Sequence, residues 1–324
     1  MTSRPSKFAA MTGALLLALG AKSANAQKYN FTTIDVPSAI ATGARGISSN
    51  GTVVGFYVDP SFTPHGFLRS PNGSMTFPID YVNASVTVVG TQLNKIDPQG
   101  ETVVGWWFDG GFLIHGLLMN LGSSTAVSFD FPAPGVQATV TNGINRYGEI
   151  SGNYVDSTGK SHGFTANVTC LAQASSYQSF DYPGGLQTEF GGINDGDEVV
   201  GDYLAADSKV VSFMFSGGNF TLLSAPSHPV VSARNINNLQ QIVGSFGNAV
   251  PVFQVSPSAS GLFNAPGSLH GFVLNPTGRV TTVNFTGPDA QQTGIGAVND
   301  SGTIVGHYIS PGFVSHGFVA VQTD

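Results

Sequence analysis

The stretch VNDSGTIVGHYISPGFVSHGF from Val298 to Phe318 has two close copies, ISSNGTVVGFYVDPSFTPHGF from Ile47 and INRYGEISGNYVDSTGKSHGF from Ile144. Each copy reads as a turn, an apolar strand ending Val-Gly-x-Tyr, a loop, and a second strand opening His-Gly-Phe. A pattern repeated at a fixed period limits the fold more than any local propensity, because each copy must bury its apolar face against the next. The glycine recurs at Gly55, Gly105, Gly152, Gly201, Gly244 and Gly306. Taking the triplet at His65, His115, His162, Ser212, His270 and His316, the spacings are 10, 10, 10, 11, 26 and 10. That regularity predicts one hairpin built six times.

Upstream of each hairpin lies a strand of small residues, such as ATGARGIS from Ala41, TVTNGIN from Thr139 and TGIGAVN from Thr293. Upstream again is an apolar-Asp-x-Pro element, clearest at Ile34–Pro37, Phe129–Pro132 and Phe180–Pro183. Four short strands per repeat, six times over, predict an all-β, six-bladed β-propeller with four antiparallel strands per blade. A linear β-solenoid is the rival architecture, although its repeats are usually shorter. After His316-Gly-Phe only six residues remain, so the last repeat lacks its apolar-Asp-x-Pro strand. Phe31–Pro37 is such a strand without a blade. The last blade is therefore expected to be closed by the N-terminal strand, which removes two exposed sheet edges. The small-residue strand then lies innermost, followed outward by the Val-Gly strand and the His-Gly-Phe strand.

Residues 1–26 read as a secretory signal peptide. Arg4 and Lys7 precede an apolar segment from Ala9 to Ala21, and Ala24-Asn25-Ala26 matches a small-x-small cleavage site. The mature propeller would be 27–324, one domain, secreted or periplasmic, with no transmembrane segment and a monomeric state. Cleavage takes Arg4, Lys7 and Lys22 from 12 basic residues and none of the 19 acids, so the mature charge is 9 minus 19, or −10. Such a surface repels phosphate backbones and argues against nucleic acid as a partner. Cys170 is the only cysteine, so no internal disulfide is available.

The motif set, INxxGxIVGxY together with HGF, resembles the HAF-repeat family of secreted bacterial proteins, whose His-Ala-Phe triplet reads His-Gly-Phe here. The resemblance runs through essentially the whole mature chain. It departs at Ser212, at Gly116-Leu117 and in the long gap of repeat five. It implies export and a β-propeller-like fold, and it transfers no catalytic residue.

Five of the seven histidines belong to the triplet. A metal needs several ligands around one point, and equivalent residues on separate blades cannot supply them, so structural hydrogen bonding is expected and no metal or cofactor is assigned. The recurrent aspartates Asp35, Asp80, Asp130 and Asp181 of the outer strand, and Asp59, Asp109, Asp156 and Asp207 of the hairpin loop, read as turn formers rather than acid–base pairs. Asn194-Asp195-Gly196-Asp197-Glu198 reads as a hairpin turn, not a calcium loop.

Departures from the repeat are the better pointers to a site. Polar groups of the inner strand, Arg45, Gln92, Asn142, Glu189 and Arg234, are expected to face the axis. Repeat five inserts about 16 residues between Gly244 and His270, and no charged residue occurs from Asn235 to Gly278. Long loops on a rigid scaffold commonly carry binding, and Phe253 and Phe263 could form an apolar lip beside the axial mouth. Trp106 or Trp107, Tyr57 and Tyr154 are candidates for stacking on sugar faces. Two functions remain open. One is a recognition or scaffold protein binding an extracellular glycan or envelope component at the loop-bearing end. The other is an extracellular polysaccharide lyase or hydrolase with Glu189 or a loop aspartate as base and Arg45 or Arg234 holding an anionic substrate.

Overall fold

The computed structural model describes residues 28–223, 231–248 and 268–323. Residues 1–26, expected as a signal peptide, and the repeat-five insertion with Phe253 and Phe263 lie outside the described residues. Apart from two single-turn 3₁₀ pieces, Val168–Cys170 and Ala174–Ser176, regular structure among the described residues is all β.

The strands come in fours. Unit one is β2 (Ala41–Ile47), β3 (Val53–Val58), β4 (Pro64–Arg69) and β5 (Met75–Ile79). Unit two is β6 (Val88–Ile96), β7 (Thr102–Asp109), β8 (Ile114–Asn120) and β9 (Thr125–Phe129). Unit three is β10 (Ala138–Ile144), β11 (Glu149–Val155), β12 (Ser161–Asn167) and β13 (Gln178–Phe180). Unit four is β14 (Gln187–Ile193), β15 (Val199–Leu204), β16 (Val210–Ser216) and β17 (Asn219–Leu222). Unit five is β18 (Val231–Ile236), β19 (Ile242–Gly247), β20 (Leu269–Leu274) and β21 (Val280–Val283). Unit six is β22 (Gln292–Val298), β23 (Ile304–Ser310), β24 (Val314–Thr323) and, as its fourth strand, β1 (Lys28–Ile34). β1 runs antiparallel to β24 from the pair Lys28–Thr323 to the pair Ile34–Gly317.

Hydrogen bonding groups these strands into five sheets and not six. Units two and three share one sheet because a single parallel bridge, Ala138 to Ile114, ties the inner strand of unit three to the third strand of unit two. The first strands of successive units touch one another, β2 with β6, then β10, β14, β18 and β22, and β22 touches β2 again. The units therefore follow one another in a closed cycle of contacts.

The apolar core is divided among the interfaces between units. Ile34, Val36, Ala44, Tyr57 and Phe67 join units six and one, while Phe180 and Tyr182 from the end of unit three pack against Phe190, Ile193, Val199 and Phe213 of unit four. The triplet's third residue is fully buried in most units, as at Phe67, Leu117, Phe164, Phe213 and Phe318. Each such side chain contributes about 1.5–3 kcal/mol by leaving water.

The recurring polar residues fasten these interfaces. The residue after the outer aspartate, or after Asn284 in unit five, donates its backbone N–H to the threonine of the next unit's inner strand: Tyr81 to Thr91 (3.0 Å), Phe131 to Thr139 (2.9 Å), Tyr182 to Thr188 (2.9 Å) and Phe285 to Thr293 (2.9 Å). The same residue stacks on the aromatic of Val-Gly-x-Tyr, with ring centroids 3.7 Å apart for Phe131–Tyr154 and for Tyr182–Tyr203. At the opposite end the turn asparagines form a second fastening. Asn145, Asn194, Asn237 and Asn299 each donate a side-chain N–H to a carbonyl of the following unit, those of Asn194, Asn237, Asn299 and Ser48 respectively (2.9–3.2 Å). Their side-chain oxygens hold their own turns. Asn194 accepts from Gly196 and Glu198, so the Asn194–Glu198 stretch is a turn. Aspartate in these positions could not make the inter-unit bond, since an ionised carboxylate donates nothing.

The triplet histidines are structural in the way expected. His65, His115, His162 and His316 each place Nδ1 within 2.8–3.0 Å of the outer-strand carboxylates of Asp80, Asp130, Asp181 and Asp35. Each also stacks on Tyr57, Trp107, Tyr154 or Tyr308 respectively. The loop aspartates form turns, as Asp59 does by accepting from Ser61 and Thr63. Unit four departs differently from the expected alignment. Asp202 pairs with Ser212 and Tyr203 with Val211, so Val211 holds the histidine position and Ser212 the glycine position. The glycine-to-triplet spacing in unit four is thus the same as in its neighbours. At the glycine position of units one and three a side chain would collide with the next unit's inner strand, with Leu93 at Gly66 and Phe190 at Gly163. At Ser212 the facing residue is small Ala233, whose N–H donates to the serine oxygen (3.0 Å).

Candidate functional site at the axis

Every inner strand carries a bulge at the same place. Its register slips between Ala44 and Gly46, Leu93 and Lys95, Thr141 and Gly143, Phe190 and Ile193, Ala233 and Asn235, and Ile295 and Ala297. A bulge inserts an unpaired residue and re-aims side chains. The residues inserted include Arg45, Asn94, Asn142, Gly191, Arg234 and Gly296. Two positions earlier, Glu189 pairs with Asp202 and Gly294 with His307 on the second strand. The repeat holds these positions in space while leaving their chemistry free to vary.

Around units two and three the side chains satisfy one another. Gln92 donates to Asn94 (2.8 Å), Asn94 to Asn142 (3.1 Å) and to the Thr141 carbonyl (3.0 Å), and Asn142 to Asn153 (2.9 Å) and the Phe190 carbonyl (3.0 Å). Gln92 and Asn142 are therefore engaged in an amide relay. The bulge position of unit two belongs to Asn94 rather than Gln92, because β6 holds an extra residue. Asp202 is likewise committed, accepting from Ser212 (2.5 Å), Ser232 (2.6 Å) and the Ala233 backbone (3.2 Å).

The remaining charges are not paired. Among the described residues no ion pair or hydrogen bond joins the side chains of Arg45, Glu189 or Arg234 to another group. The Arg45 Nε is buried without a partner, and its guanidinium lies 5.1 Å from the Phe56 ring centroid. His307 covers Gly294, and its buried Nε2 has no partner. Lys95 is a cation that composition alone did not place here. It stands one step past the bulge, where the other units have Gly46, Gly143 or Ala297, and its Nζ donates to the carbonyls of Arg45 (2.8 Å) and Gly296 (2.7 Å).

The electrostatics follow from this crowding. Burial, then Arg234, lowers Arg45 to about 10. Burial, then Arg45 and Arg234, holds Lys95 well below the usual lysine range and takes His307 down to about 3. Burial pushes Glu189 up to about 7, with Arg234 opposing and Asp202 reinforcing the rise. Arg45, Glu189, Arg234 and His307 each keep partial exposure, so solvent in the axial space reaches them and softens these effects. The result is an excess of positive charge around a carboxyl that titrates near neutrality.

His307 and Glu189 act oppositely on stability. A histidine depressed in the fold contributes stability above about pH 6.5 that is lost as pH falls toward 3. A raised carboxyl contributes stability below about pH 4.5 that is lost as pH rises toward 7. Between pH 4.5 and 6.5 the two slopes offset one another. Glu189→Gln should make stability, relative to wild type, fall on acidification through this window. His307→Asn should make it fall as pH rises. After discounting for axial water, each change amounts to about 1–2 kcal/mol, read by denaturant midpoints across pH. Parallel curves for all three proteins would refute the axial placement of these charges.

Two other spaces are nearby. At the Asn-turn end of the axis a cavity of about 50 Å³ is lined by Ile47, Ile96, Ile144, Ile193, Ile236 and Val298, and it admits only water-sized guests. At the other end a cleft of about 510 Å³ opens between units one and two beside His65, Asp80, Tyr81, Asn83 and Thr91. The aromatic candidates for sugar stacking are not available. Tyr57, Trp106 and Tyr154 are 8% exposed and Trp107 is 2%. Strand side chains alternate between two faces, but in a cycle of units both faces are covered by neighbours. No group of three or more His, Cys, Asp or Glu suited to a metal occurs among the described residues.

No protein-family model matches the sequence, and no curated protein matches it. Solved structures do resemble the fold. A fungal lectin of Aleuria aurantia, described as a six-bladed β-propeller with a novel fucose recognition mode, is similar at a TM-score of 0.53 and 11% identity, over 89% of this chain and 93% of that one. AofleA from Arthrobotrys oligospora is similar at a TM-score of 0.52 and 10% identity, over 92% and 88%. At such identity the likeness is one of fold.

Proposed function

We propose that this chain is an exported carbohydrate-recognition protein on a six-bladed propeller, and that its axial mouth takes an acidic sugar. The observation that carries this reading is the set of Arg45 and Arg234, each at the bulge of its inner strand, and Glu189, two residues before the bulge of a third, none of them joined by a hydrogen bond or ion pair among the described residues. Two guanidinium groups suit a carboxylate, which each can bind through charge-assisted hydrogen bonds. Glu189 can accept from a sugar hydroxyl when ionised and donate to one when protonated. The shared fold with a fucose-recognising lectin supports the carbohydrate class. The signal-like segment 1–26 and the HAF-type repeats support export and membership of that repeat family.

A second reading keeps the same residues. A carboxyl pushed up to about 7 can take and return a proton near neutral pH, which is what a lyase or hydrolase base requires. The Arg45–Arg234 pair would then hold an acidic polysaccharide.

A screen of immobilised acidic and neutral oligosaccharides tests the binding reading. Wild type should retain uronate- or sialate-bearing glycans. Arg45→Met and Arg234→Met should each weaken that binding about 10- to 100-fold, consistent with loss of a charge-assisted hydrogen bond. Thermal stability should hold or rise, since like charges are being removed. Retention of neutral glycans only, or binding unaffected by both substitutions, would overturn the axial assignment. New reducing or unsaturated ends that vanish in Glu189→Gln would select the enzymatic reading.

A further inference from the structure

The hairpin loop between the second and third strands of a unit has a residue in the left-handed conformation. In unit three it is Gly159, with φ +85°, and in unit four Ser208, with φ 64°. In units six, one and two it is a phenylalanine: Phe313 (φ 63°), Phe62 (φ 65°) and Phe112 (φ 64°). A bulky side chain is disfavoured in this conformation, and glycine would avoid the strain. Nor are these rings core residues. Phe62 is 72% exposed, Phe112 64% and Phe313 47%. Phe112 leans against Phe108, with centroids 6.4 Å apart, and still projects.

The three units are consecutive in the cycle, so the rings form an arc on the loop-bearing end. Their neighbours extend the same chemistry. Leu113 and Val314 follow two of the rings and are exposed, as are Val82 and Val86 in the connection from unit one to unit two. Exposed apolar groups recurring at equivalent loop tips of a water-facing protein point to an interaction surface.

We propose that this arc is a docking surface for an uncharged lipid bilayer, entered by Phe62, Phe112 and Phe313 together. Rotationally equivalent loop positions lie at one height above a propeller, so the three tips can meet a flat surface at once. The charge pattern points the same way. The loops at 59–63, 109–113 and 310–314 contain no lysine or arginine, and the first two carry Asp59 and Asp109, whereas the corresponding loops of units three and four hold Lys160 and Lys209 and no aromatic. A chain with a formal charge of −7 is repelled by an anionic membrane. Phenylalanine, leucine and valine enter the acyl boundary, and nothing in the arc supplies the basic contacts of an anionic-lipid binder. The proposal does not rest on the axial site, so either can fail alone.

The test is co-sedimentation of the mature chain with phosphatidylcholine vesicles, and with vesicles containing a third phosphatidylglycerol. Wild type should partition onto the first and less onto the second, with the deficit shrinking at high salt. Phe62→Gly, Phe112→Gly and Phe313→Gly should each lower partitioning, and the triple variant should lower it by about tenfold or more. Because glycine relieves the backbone, the triple variant should melt no lower than wild type, which separates lost binding from lost folding. Wild type remaining in the supernatant of both vesicle types would overturn the proposal. So would equal partitioning of the triple variant. A dimer in solution that dissociates in the triple variant would assign the arc to a second copy of this chain, and glycan retention that depends on the phenylalanines would assign it to carbohydrate.

Discussion

Replacing Gly152 with alanine is expected to cost about 3–5 kcal/mol, at the upper end for forcing atoms into a packed site. The cause is backbone and not side-chain crowding. The methyl group would overlap the carbonyl oxygen of Val140 on the inner strand and lie 3.0 Å from Cε1 of Phe164. Relief requires moving the strand at its bulge, which would disturb the Asn142 contacts as well. The Val-Gly glycine is in the same position in every unit. Gly55 meets the Gly43 carbonyl, Gly105 that of Gln92, Gly201 that of Glu189, Gly244 that of Ser232 and Gly306 that of Gly294. Gly159→Ala is the control. It has open space around it and a φ of +85°, so it should cost only about 1 kcal/mol of backbone strain. Calorimetric or urea unfolding of the two variants decides the matter, with Gly152→Ala melting about 10 °C lower than wild type. Similar losses for both would show that the motif glycine serves conformation and not the close approach of two strands.

Removal of residues 28–34 should abolish cooperative folding. β1 is the fourth strand of unit six, and its loss would expose an edge of β24 along the whole ladder from Gly317 to Thr323. It would also uncover Phe318, now fully buried, against which Phe31 packs edge-on with centroids 5.4 Å apart. Phe31 contacts Phe285 as well at 5.1 Å, and Ile34 is 2% exposed. Large-to-small losses at two such sites already reach about 5–8 kcal/mol, and a strand's hydrogen bonds come on top. A total near 10 kcal/mol equals the stability of an ordinary domain. The same residues appended after Thr323 through a short linker should restore a single sharp transition. A truncated chain that melts as wild type does would mean that β1 decorates unit six without closing it.

Much of this was legible in the chain itself. The spacing of Gly55, Gly105, Gly152, Gly201, Gly244 and Gly306 announces one hairpin made six times, since a four-strand unit can bury its faces only against another like it. The outer-strand element at Phe31–Pro37, and the missing partner after His316, announce how the last unit is completed. The His-Gly-Phe residues are readable as structural because they recur in unit after unit, whereas the outer-strand aspartates, expected as turn formers, are instead the partners of those histidines.

What varies between repeats needed the tertiary structure. The bulge on each inner strand breaks the alternation that assigns faces, so Asn94 and not Gln92 takes the axial place in unit two, and Lys95 enters unannounced. Trp106 and Trp107 both being buried depends on the cover that neighbouring units give each sheet face, which no period in one strand reveals. Whether Arg45, Glu189 and Arg234 neutralise one another or stand free depends on distances across the axis between residues far apart in the chain. Local pattern sets how many strands there are and what each repeats; only their closure into a ring decides which charges share a space, because that space belongs to no single repeat.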